Sequence, residues 1–414
     1  MARATAMTDP ARDGGRRADA GRIGLATAAA GACLFAAFSP VSIVAYQVGW
    51  GLSLIGLLLA YASGRVRFRR TPLDLPWLLF AGAQIASVLF STDSGHSLRR
   101  LRGEWILLFF PVFLQAIRDS RIARRALGIL MISSCLACAY AFWQILAGRD
   151  LVRSRLLEPI GGLHIATGFF GHHLTYGGHV LITGTIAMAL LFGAAPPRRR
   201  LLRAGVLLLQ IAGIAASFAR TAWAGFLAAI AAAALLRRGR GRWAALALGL
   251  FVIVGLLAVP AVRQRIQAVG DFGDDPRMRL WATSVRIWLD HPIIGSGLGT
   301  FRTQFPHYRV PGAYLSTAHP HNDILNIMVN AGIVGLAAFA FFWIRFFRWV
   351  GSVRGRLPES DPRRPLLTAG MLVAIAVLVG GLGQCFLTDE EVGTLVWFTM
   401  AATAAIAREV RDEG

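Results

Sequence analysis

The sequence contains no lysine, because all 43 basic residues among its 414 are arginine. The absence of lysine is the expected mark of a GC-rich genome and indicates no function by itself. Charged residues make up only 16% of the chain and hydrophobic residues 55%, whereas soluble domains are about a quarter charged. This shortage of charge, together with repeated apolar runs near the roughly 20-residue length of a span, indicates a polytopic membrane protein.

The chain also lacks the motifs of several kinds of chemistry. It has four cysteines, and Cys135 and Cys138 form a CxxC pattern inside an apolar run with no second pair, so packing is their predicted role. The glycine-rich stretch 295–299 lacks the strand–helix context and the lysine of a phosphate-binding loop, so we predict a turn there. His319 and His321 flank a single proline, which is weak support for a metal site. We expect neither metal nor cofactor.

The apolar runs predict about twelve transmembrane helices in an all-α protein. Residues 1–21 are predicted to be a disordered cytoplasmic tail, 22–260 to hold spans one to nine, 261–321 to form one outer loop region, 322–408 to hold spans ten to twelve, and 409–414 to form a second tail. The predicted spans are 22–39, 42–63, 75–91, 104–117, 123–147, 173–193, 203–218, 220–236, 243–260, 322–346, 366–387 and 391–408. Two runs are too long for one helix and are predicted to break at Ser39–Pro40 and near Ser217–Thr221.

Arginine placement orients these spans. Arginine is concentrated in the termini and one alternating set of loops, so that side is predicted to be cytoplasmic and region 261–321 to lie outside. Because the arginines sit in short loops between spans, the expected partners are membrane lipids and not nucleic acid. Residues 277–290 are predicted to form an amphipathic helix on the membrane surface. Its apolar side would carry Leu280, Trp281, Val285, Trp288 and Leu289, and its polar side Arg279, Ser284, Arg286 and Asp290.

His321 is the first candidate for chemistry. It stands where the polar region gives way to an apolar helix, and imidazole, with an ordinary pKa near ~6.5, suits a general base. Asn322 or Asp323 would orient it, and His319 is a second candidate. The alternative is that this polar cluster only caps the helix.

Arginines are the second set of candidates. Arg220 lies within an apolar run, where burying a guanidinium costs roughly 2.5–3.5 kcal/mol unless it is paired, and arginine is a natural partner of phosphate. The alternative is an arginine that extends to the interface from a helix end. The outer region holds further arginines whose expected partners are lipid headgroups or a diphosphate-linked lipid. They are Arg263, Arg265, Arg277, Arg279, Arg286, Arg302 and Arg309. Arg279 is the strongest single candidate among them.

Two further segments are weaker candidates. His172 belongs to the stretch Gly168–Tyr176 at the outer start of the sixth span, where packing and hydrogen bonding are favoured over direct chemistry. Arg99, Arg100 and Arg102 open the fourth span and would reach the same outer face, with Glu104 as a partner for one of these arginines.

One spacing resembles that of a known family. His321 and a small polar residue are followed by nine residues, Gly332, two residues and Gly335. This pattern is similar to that of the O-antigen ligases, within the ligase–polymerase superfamily of lipid-linked glycan-processing membrane proteins. The same superfamily resembles this chain at 168–173, 217–220, 279–281 and 291–297.

The resemblance implies a GT-C-like glycosyltransferase of about twelve spans, with one helical periplasmic loop region between spans nine and ten. Its donor would be O-antigen on undecaprenyl diphosphate, its acceptor a hydroxyl of lipid A–core oligosaccharide, and its location the bacterial inner membrane with the active site facing the periplasm. It implies an ATP- and metal-independent transfer. The family's catalytic histidine falls on His321 and its outer arginine on Arg220, followed by Arg279 and then by Arg302 and Arg265. Supporting candidates are His319, Asn322, Asp323, His172 and Arg102.

Three alternatives stay open. An O-antigen polymerase or a protein O-oligosaccharyltransferase would use the same donor with another acceptor. The shortness of the other outer loops, of which 148–172 is the largest, and the short segment after the last span favour the ligase. A transporter of the same lipid would carry charges inside several spans, and the predicted span interiors hold few.

Overall fold

The computed structural model describes residues 10–64, 66–267, 276–314 and 319–413. These residues are mostly helical, which confirms the all-α class, with two small hairpins of two-residue strands in addition. The helices are α1 Pro10–Phe38, α2 Ile43–Ala62, α3 Asp74–Leu89, α4 Ser94–Arg100, a 3₁₀ helix Leu101–Leu108, α5 Phe109–Ala116, α6 Ser120–Ala147, α7 His173–Leu191, α8 Pro197–Ala216, α9 Arg220–Leu235, α10 Arg240–Ala258, α11 Pro260–Gln267, α12 Pro276–Asp290, α13 Phe301–Tyr308, α14 Asp323–Arg356, α15 Arg364–Gly380 and α16 Glu390–Glu413. The antiparallel strand pairs are β1 Arg149–Asp150 with β2 Arg155–Leu156, and β3 Pro159–Ile160 with β4 Leu163–His164.

Several of these helices are suited to crossing a membrane. Within the described residues, six are long and apolar enough, and they lie in α1, α2, α6, α7, α10 and α14. Three shorter apolar helices are α3, α9 and α15. Each of the twelve predicted spans overlaps a helix, so the membrane character is confirmed, while the number of crossings stays a prediction.

Both predicted breaks in the long apolar runs are confirmed. The first lies between α1 and α2, where the Ser42 hydroxyl accepts a hydrogen bond from the Ala45 N–H at 3.3 Å. The second is the turn between α8 and α9, where Phe218 adopts a positive φ of 48°. A non-glycine residue in this left-handed region is uncommon, so the turn fixes the direction in which α9 starts.

Other boundaries differ from those predicted. Residues 10–21 belong to α1, although 1–21 was predicted as a disordered tail, and residues 1–9 lie outside the described part. The predicted span 104–117 begins as a 3₁₀ helix and becomes α-helical at Phe109, and α14 continues beyond the predicted 346 to Arg356. The predicted span 366–387 is wrong at its end. α15 stops at Gly380 because the following backbone bonds to the start of α14 instead of continuing the helix.

Residues 276–290 are helical, as predicted, and one face of α12 packs against the rest of the protein. Its buried residues are Leu280, Thr283, Ser284 and Ile287, which follow the i, i+3, i+4, i+7 spacing of one helix face. Ser284, which was assigned to the polar side, is buried, and its hydroxyl donates to the Leu280 carbonyl at 2.8 Å and so loses no hydrogen bond. Val285 and Leu289, on the predicted apolar side, are exposed. Contact of α12 with a membrane surface stays a prediction.

Glycines allow α1 and α2 to pack backbone against backbone. A Cβ on Gly49 would lie 2.5 Å from the Phe35 nitrogen and 2.8 Å from the Gly31 oxygen, and one on Gly24 would lie 2.6 Å from the Ala60 nitrogen. Separations this short are repulsive, so any side chain at these positions would force the two helices apart. Small residues at such crossings let helices approach closely in membranes.

We expect Gly49→Ala to destabilise this helix pair by about 1–3 kcal/mol, because the added methyl group overpacks the crossing. Gly51→Ala in the same helix is the matched control, since a Cβ there meets no atom within 4 Å. It should be neutral or stabilising by up to about 1 kcal/mol through helix propensity. Denaturant unfolding of the purified protein in detergent measures both, and equal stability of the two variants would contradict the packing argument.

Candidate active site

The loop between α15 and α16, residues 381–389, is held against the first turn of α14. Asn322 caps that helix, with its Oδ1 accepting from the Leu325 N–H at 3.1 Å. Its Nδ2 donates to the Leu382 carbonyl at 2.9 Å, and its backbone N–H donates to Cys385 Sγ at 3.2 Å. The capping alternative therefore applies to Asn322, which in addition joins this 381–389 loop to α14.

Asp323 fastens the same loop from inside. Its carboxylate oxygens accept hydrogen bonds from the backbone N–H groups of Phe386 and Leu387, both at 3.2 Å, and its own N–H donates to the Gly381 carbonyl at 2.8 Å. A Cβ on Gly381 would lie 2.6 Å from the Asp323 Oδ2. The side chain is 5% exposed, and a carboxylate buried this deeply needs such donors. Asp323 is therefore an anchor for the loop.

His321 contacts the loop through its side chain. Its Nδ1 lies 2.6 Å from the Gln384 Oε1. Because an amide oxygen only accepts, this contact places the imidazole proton on Nδ1 and leaves the lone pair on Nε2. The backbone φ of His321 is 53°, a left-handed value that costs energy in a non-glycine residue and is frequent at functional sites. The geometry holds a half-buried imidazole with a nitrogen that can accept a proton.

Burial and neighbouring charge keep both histidines neutral. Burial lowers the pKa of His321; the hydrogen bond with Gln384 opposes this shift, and the charges of Arg277 and His172 reinforce it. Burial, followed by His321 and Arg100, lowers the pKa of His319 to about 4. The His319 Nδ1 accepts the backbone N–H of His321 at 3.3 Å, and the two rings stand edge to face with centroids 4.7 Å apart. His321 is thus in its basic, unprotonated form near neutral pH.

Gly383, the residue before Gln384, lies close to the start of α9 and to α12. A Cβ on Gly383 would lie 2.8 Å from the Thr221 Cγ2 and 3.7 Å from the Arg277 Nη1. Thr221 follows Arg220, which is half-buried and begins α9. The first turn of α9 and the guanidinium of Arg277 therefore both border the loop residue that precedes Gln384.

The structure brings some predicted arginines to this place and separates others. Arg265 and Arg277 both lie near His173, at the start of α7. Arg279 instead donates from Nη1 to the Gly312 carbonyl at 3.0 Å, which ties α12 to the segment after α13. Arg302 and Arg102 are exposed, and in the described part of the chain no hydrogen bond or ion pair joins either of them to His321. Arg277, which was not among the site residues chosen from the sequence, takes the place expected of Arg279.

His172 lies close enough to His321 for its charge to lower the pKa of that group. It caps α7, with its Nδ1 accepting from the Leu174 N–H at 3.2 Å, and its ring lies 4.5 Å from that of His173. Burial lowers the pKa of His172 itself, while the charge of Asp389 opposes that shift. His172 thus combines a capping role with a position at the edge of the site.

A cavity of about 230 Å³ lies beside His319. Its polar lining includes Arg99, Arg100, Asn330 and Glu390. Arg99 and Arg100, two of the three arginines noted at the start of the predicted fourth span, line this cavity, and Arg102 does not. Glu104 lines the same cavity, so its two arginines are matched by two glutamates.

Gly332 interrupts α14 for a reason that the spacing alone did not show. Its φ of 61° breaks the helix, and a Cβ there would overlap the carbonyl of Ile293. The N–H of Ile333 donates to the Pro292 carbonyl at 2.9 Å, and that of Val334 to the Ile293 carbonyl at 3.1 Å. Gly332 therefore admits the backbone of the loop after α12 into a break in α14.

Gln384 and the loop that carries it are absent from the candidates that the sequence indicates. One signal was available: Gly380, Gly381 and Gly383 cluster with a glutamine at the end of an otherwise apolar run. Such a cluster indicates a helix end and a close backbone approach. Among the described residues, no group of three or more His, Cys, Asp or Glu side chains is arranged to hold a metal ion.

The fold and site together define a class: a helical membrane protein with a neutral histidine at a loop-to-helix junction, bordered by arginines. A family model described as O-antigen ligase matches residues 205–340, which include Arg220, Arg277, His321 and Gly332. The resemblance to the O-antigen ligase family is thereby confirmed over this part of the chain, and it supports a function of the ligase or polymerase type in glycan assembly. No curated protein matches the sequence.

Replacing Gln384 should move the titration of His321 in a direction set by the new side chain. Gln384→Leu removes the hydrogen bond that raises the pKa of His321, so the pKa should fall. Gln384→Glu supplies a negative charge, so the pKa should rise. Diethyl pyrocarbonate modifies only the neutral imidazole, and mass spectrometry of the His321 peptide across a pH series measures the midpoint. Identical midpoints in both variants and the wild type would refute the assigned contact.

Proposed function

We propose that this protein is an O-antigen ligase. It transfers O-antigen polysaccharide from undecaprenyl diphosphate to a hydroxyl of lipid A–core oligosaccharide at the periplasmic face of the bacterial inner membrane. The observation that carries the proposal is the placement of His321. Its Nδ1 is held by Gln384, and the site borders Arg277 and the first turn of α9.

His321 acts as the general base of the transfer. Its Nε2 removes the proton of the acceptor hydroxyl as that oxygen attacks the anomeric carbon of the donor sugar. The bond from the anomeric carbon to the diphosphate oxygen breaks, and its electron pair leaves with the diphosphate. A direct displacement of this kind inverts the anomeric centre. Gln384 holds the other ring nitrogen, so it stabilises the imidazolium that forms.

Arginines stabilise the charge of the leaving diphosphate. In this proposal Arg277 and Arg220 receive it. The Arg277 Nη1 lies 3.7 Å from the position that a Cβ on Gly383 would take, and Thr221, which follows Arg220, borders the same position. Guanidinium groups form paired hydrogen bonds to phosphate oxygens, and fixed cations act where negative charge develops. Arg265 extends this basic group toward His173. In this proposal Arg279 and Arg302 bind the donor farther from the reacting atoms.

The reaction needs no ATP, because the sugar–diphosphate bond that breaks supplies the free energy. The donor remains in the lipid while its head group enters the site, which suits a site at the junction of spans and an outer region. We retain twelve crossings in a GT-C-like arrangement with both termini in the cytoplasm, since each predicted span overlaps a helix. The acceptor approaches from the side of the cavity that Arg99 and Arg100 line.

Reconstitution separates this function from its alternatives. The purified protein is placed in liposomes with lipid-linked O-antigen and lipid A–core, without ATP. Ligated lipopolysaccharide supports the ligase. Longer lipid-linked chains indicate a polymerase, a modified protein acceptor indicates an oligosaccharyltransferase, and movement of the donor between leaflets without transfer indicates a transporter.

We expect His321→Ala to abolish transfer in this assay, because the variant lacks the ring nitrogen that takes the acceptor proton. His307→Ala is the matched control: this histidine is exposed on α13, and its variant should retain full transfer. Expression, membrane insertion and gel-filtration profile should be the same for both variants. Near-normal transfer by His321→Ala in folded protein would eliminate the general-base mechanism.

Arg277→Lys should reduce transfer by at least about tenfold, since a point charge does not reproduce the paired hydrogen bonds of guanidinium. Arg220→Lys should have a similar effect. Arg286→Lys is the control on the same helix as Arg277, because Arg286 is exposed on α12. Transfer rates at saturating acceptor and varied donor measure the change. Equal rates in Arg277→Lys and Arg286→Lys would remove Arg277 from the donor site.

A further inference from the structure

A second, larger cavity lies at the opposite end of the helix bundle from His321. Its volume is about 1210 Å³, and it is lined where α7, α9 and α14 end and where α10 and α15 begin. His321 lies just before the N-cap of α14, and Arg354 lies in the last turn of that helix. The unbroken part of α14 from Ile333 to Arg354 alone extends roughly 30 Å at 1.5 Å rise per residue. The proposed transfer reaction therefore does not use this cavity.

The cavity walls carry a large excess of positive charge. Within the described residues a single carboxylate, that of Glu359, lines it. Among the described side chains, Arg364 is the only lining arginine with a carboxylate within 4.0 Å, and its Nη2 lies 3.9 Å from the Glu359 Oε1. Six arginines line the cavity: Arg200, Arg237, Arg238, Arg240, Arg354 and Arg364. A concave surface with this imbalance attracts an anion.

Packing holds three of these guanidinium groups in place. The Arg237 guanidinium lies 4.6 Å from the centroid of the Phe192 ring. Arg354 Nε donates to the Thr368 hydroxyl at 2.8 Å, and Arg364 Nη1 donates to the Leu357 carbonyl at 2.6 Å. Since a guanidinium has five N–H donors, each of these contacts leaves further donors for a ligand. Preorganised arginines lose less entropy when they bind.

The backbone adds to this positive character. Gly239, Arg240 and Gly241 line the cavity and form the start of α10. No side chain caps this helix in the described residues, so its first N–H groups are available to an acceptor. A helix N-terminus combines such donors with the positive end of the helix dipole, and it is a common site for phosphate.

We propose that this cavity binds a phosphate group, carried either by an anionic phospholipid or by a soluble phosphate ester. Several guanidinium forks around one space suit the tetrahedral oxygens of phosphate better than a single carboxylate. Leu191, Phe192 and Leu236 provide an apolar wall beside the charges, and α10 is mostly exposed along its length, so an acyl chain has a route to the site. The inference does not depend on the proposed transfer reaction.

A double variant tests the site against simple surface charge. Arg237→Gln with Arg354→Gln removes two charges from the cavity. Arg345→Gln with Arg348→Gln is the matched control, because it removes two charges from exposed positions of α14 that do not line the cavity. Gel filtration and thermal unfolding without ligand establish that both variants are folded.

Two probes distinguish the sources of the phosphate. Native mass spectrometry of protein titrated with phosphatidylglycerol in detergent measures lipid binding, and thermal unfolding in a series of inorganic phosphate concentrations measures binding of free phosphate. We expect the Arg237→Gln, Arg354→Gln variant to bind phosphatidylglycerol, inorganic phosphate or both at least about tenfold more weakly than the wild type, because it loses charge-assisted hydrogen bonds. The control variant should bind as the wild type does. Loss of lipid binding alone assigns a phospholipid, and loss of phosphate binding alone assigns a soluble ester. Equal binding by both variants, or no binding by the wild type, would overturn the proposal.

Discussion

The contact between the first turn of α14 and the 381–389 loop is the interaction on which the rest of the site depends. Asn322 and Asp323 together use side-chain and backbone groups to bond five loop residues. These bonds are made in a buried region, where an unmet donor or acceptor is costly. The loop conformation is therefore strongly specified, and with it the position of Gln384 relative to His321. Asn322 and Asp323, which the sequence suggested would orient His321, therefore act on it through the loop that they anchor.

A second constraint acts on α14 from the other side. The break at Gly332 exposes helix N–H groups, and the carbonyls of Pro292 and Ile293 accept them. Ser296 adds bonds to the Val329 carbonyl from both its N–H and its hydroxyl, at 2.8 and 3.1 Å. The loop after α12 is thus built into the helix that starts at the catalytic candidate. This arrangement explains why the two glycine-containing segments that resemble the family belong together, although residues 298–320 lie between them.

The sequence predicts the parts of this fold that follow from local chemistry. Apolar run lengths and the breaks near Ser39 and Phe218 predict the helices, and the position of His321 at a polar-to-apolar junction predicts a functional group. The sequence does not predict Arg277 in place of Arg279. Both arginines lie in the first turn of α12, and the packing of the Leu280–Ile287 face decides which way each of them points. Nor does it predict Gln384, whose role arises from a contact across 63 residues.

The same charges have two effects at the site, and the effects agree. A general base must be unprotonated. Burial and the neighbouring Arg277 and His172 lower the pKa of His321, which keeps its imidazole unprotonated near neutral pH. In the proposed reaction the diphosphate leaving group needs cations near the reacting carbon, and Arg277 is proposed as one of them. When a diphosphate binds, its negative charge offsets that of Arg277, so the pKa of His321 rises toward its ordinary value and the base becomes stronger. Donor binding would therefore prepare the imidazole to take the proton that the acceptor must lose, and the Gln384 contact would supply the partner for the imidazolium.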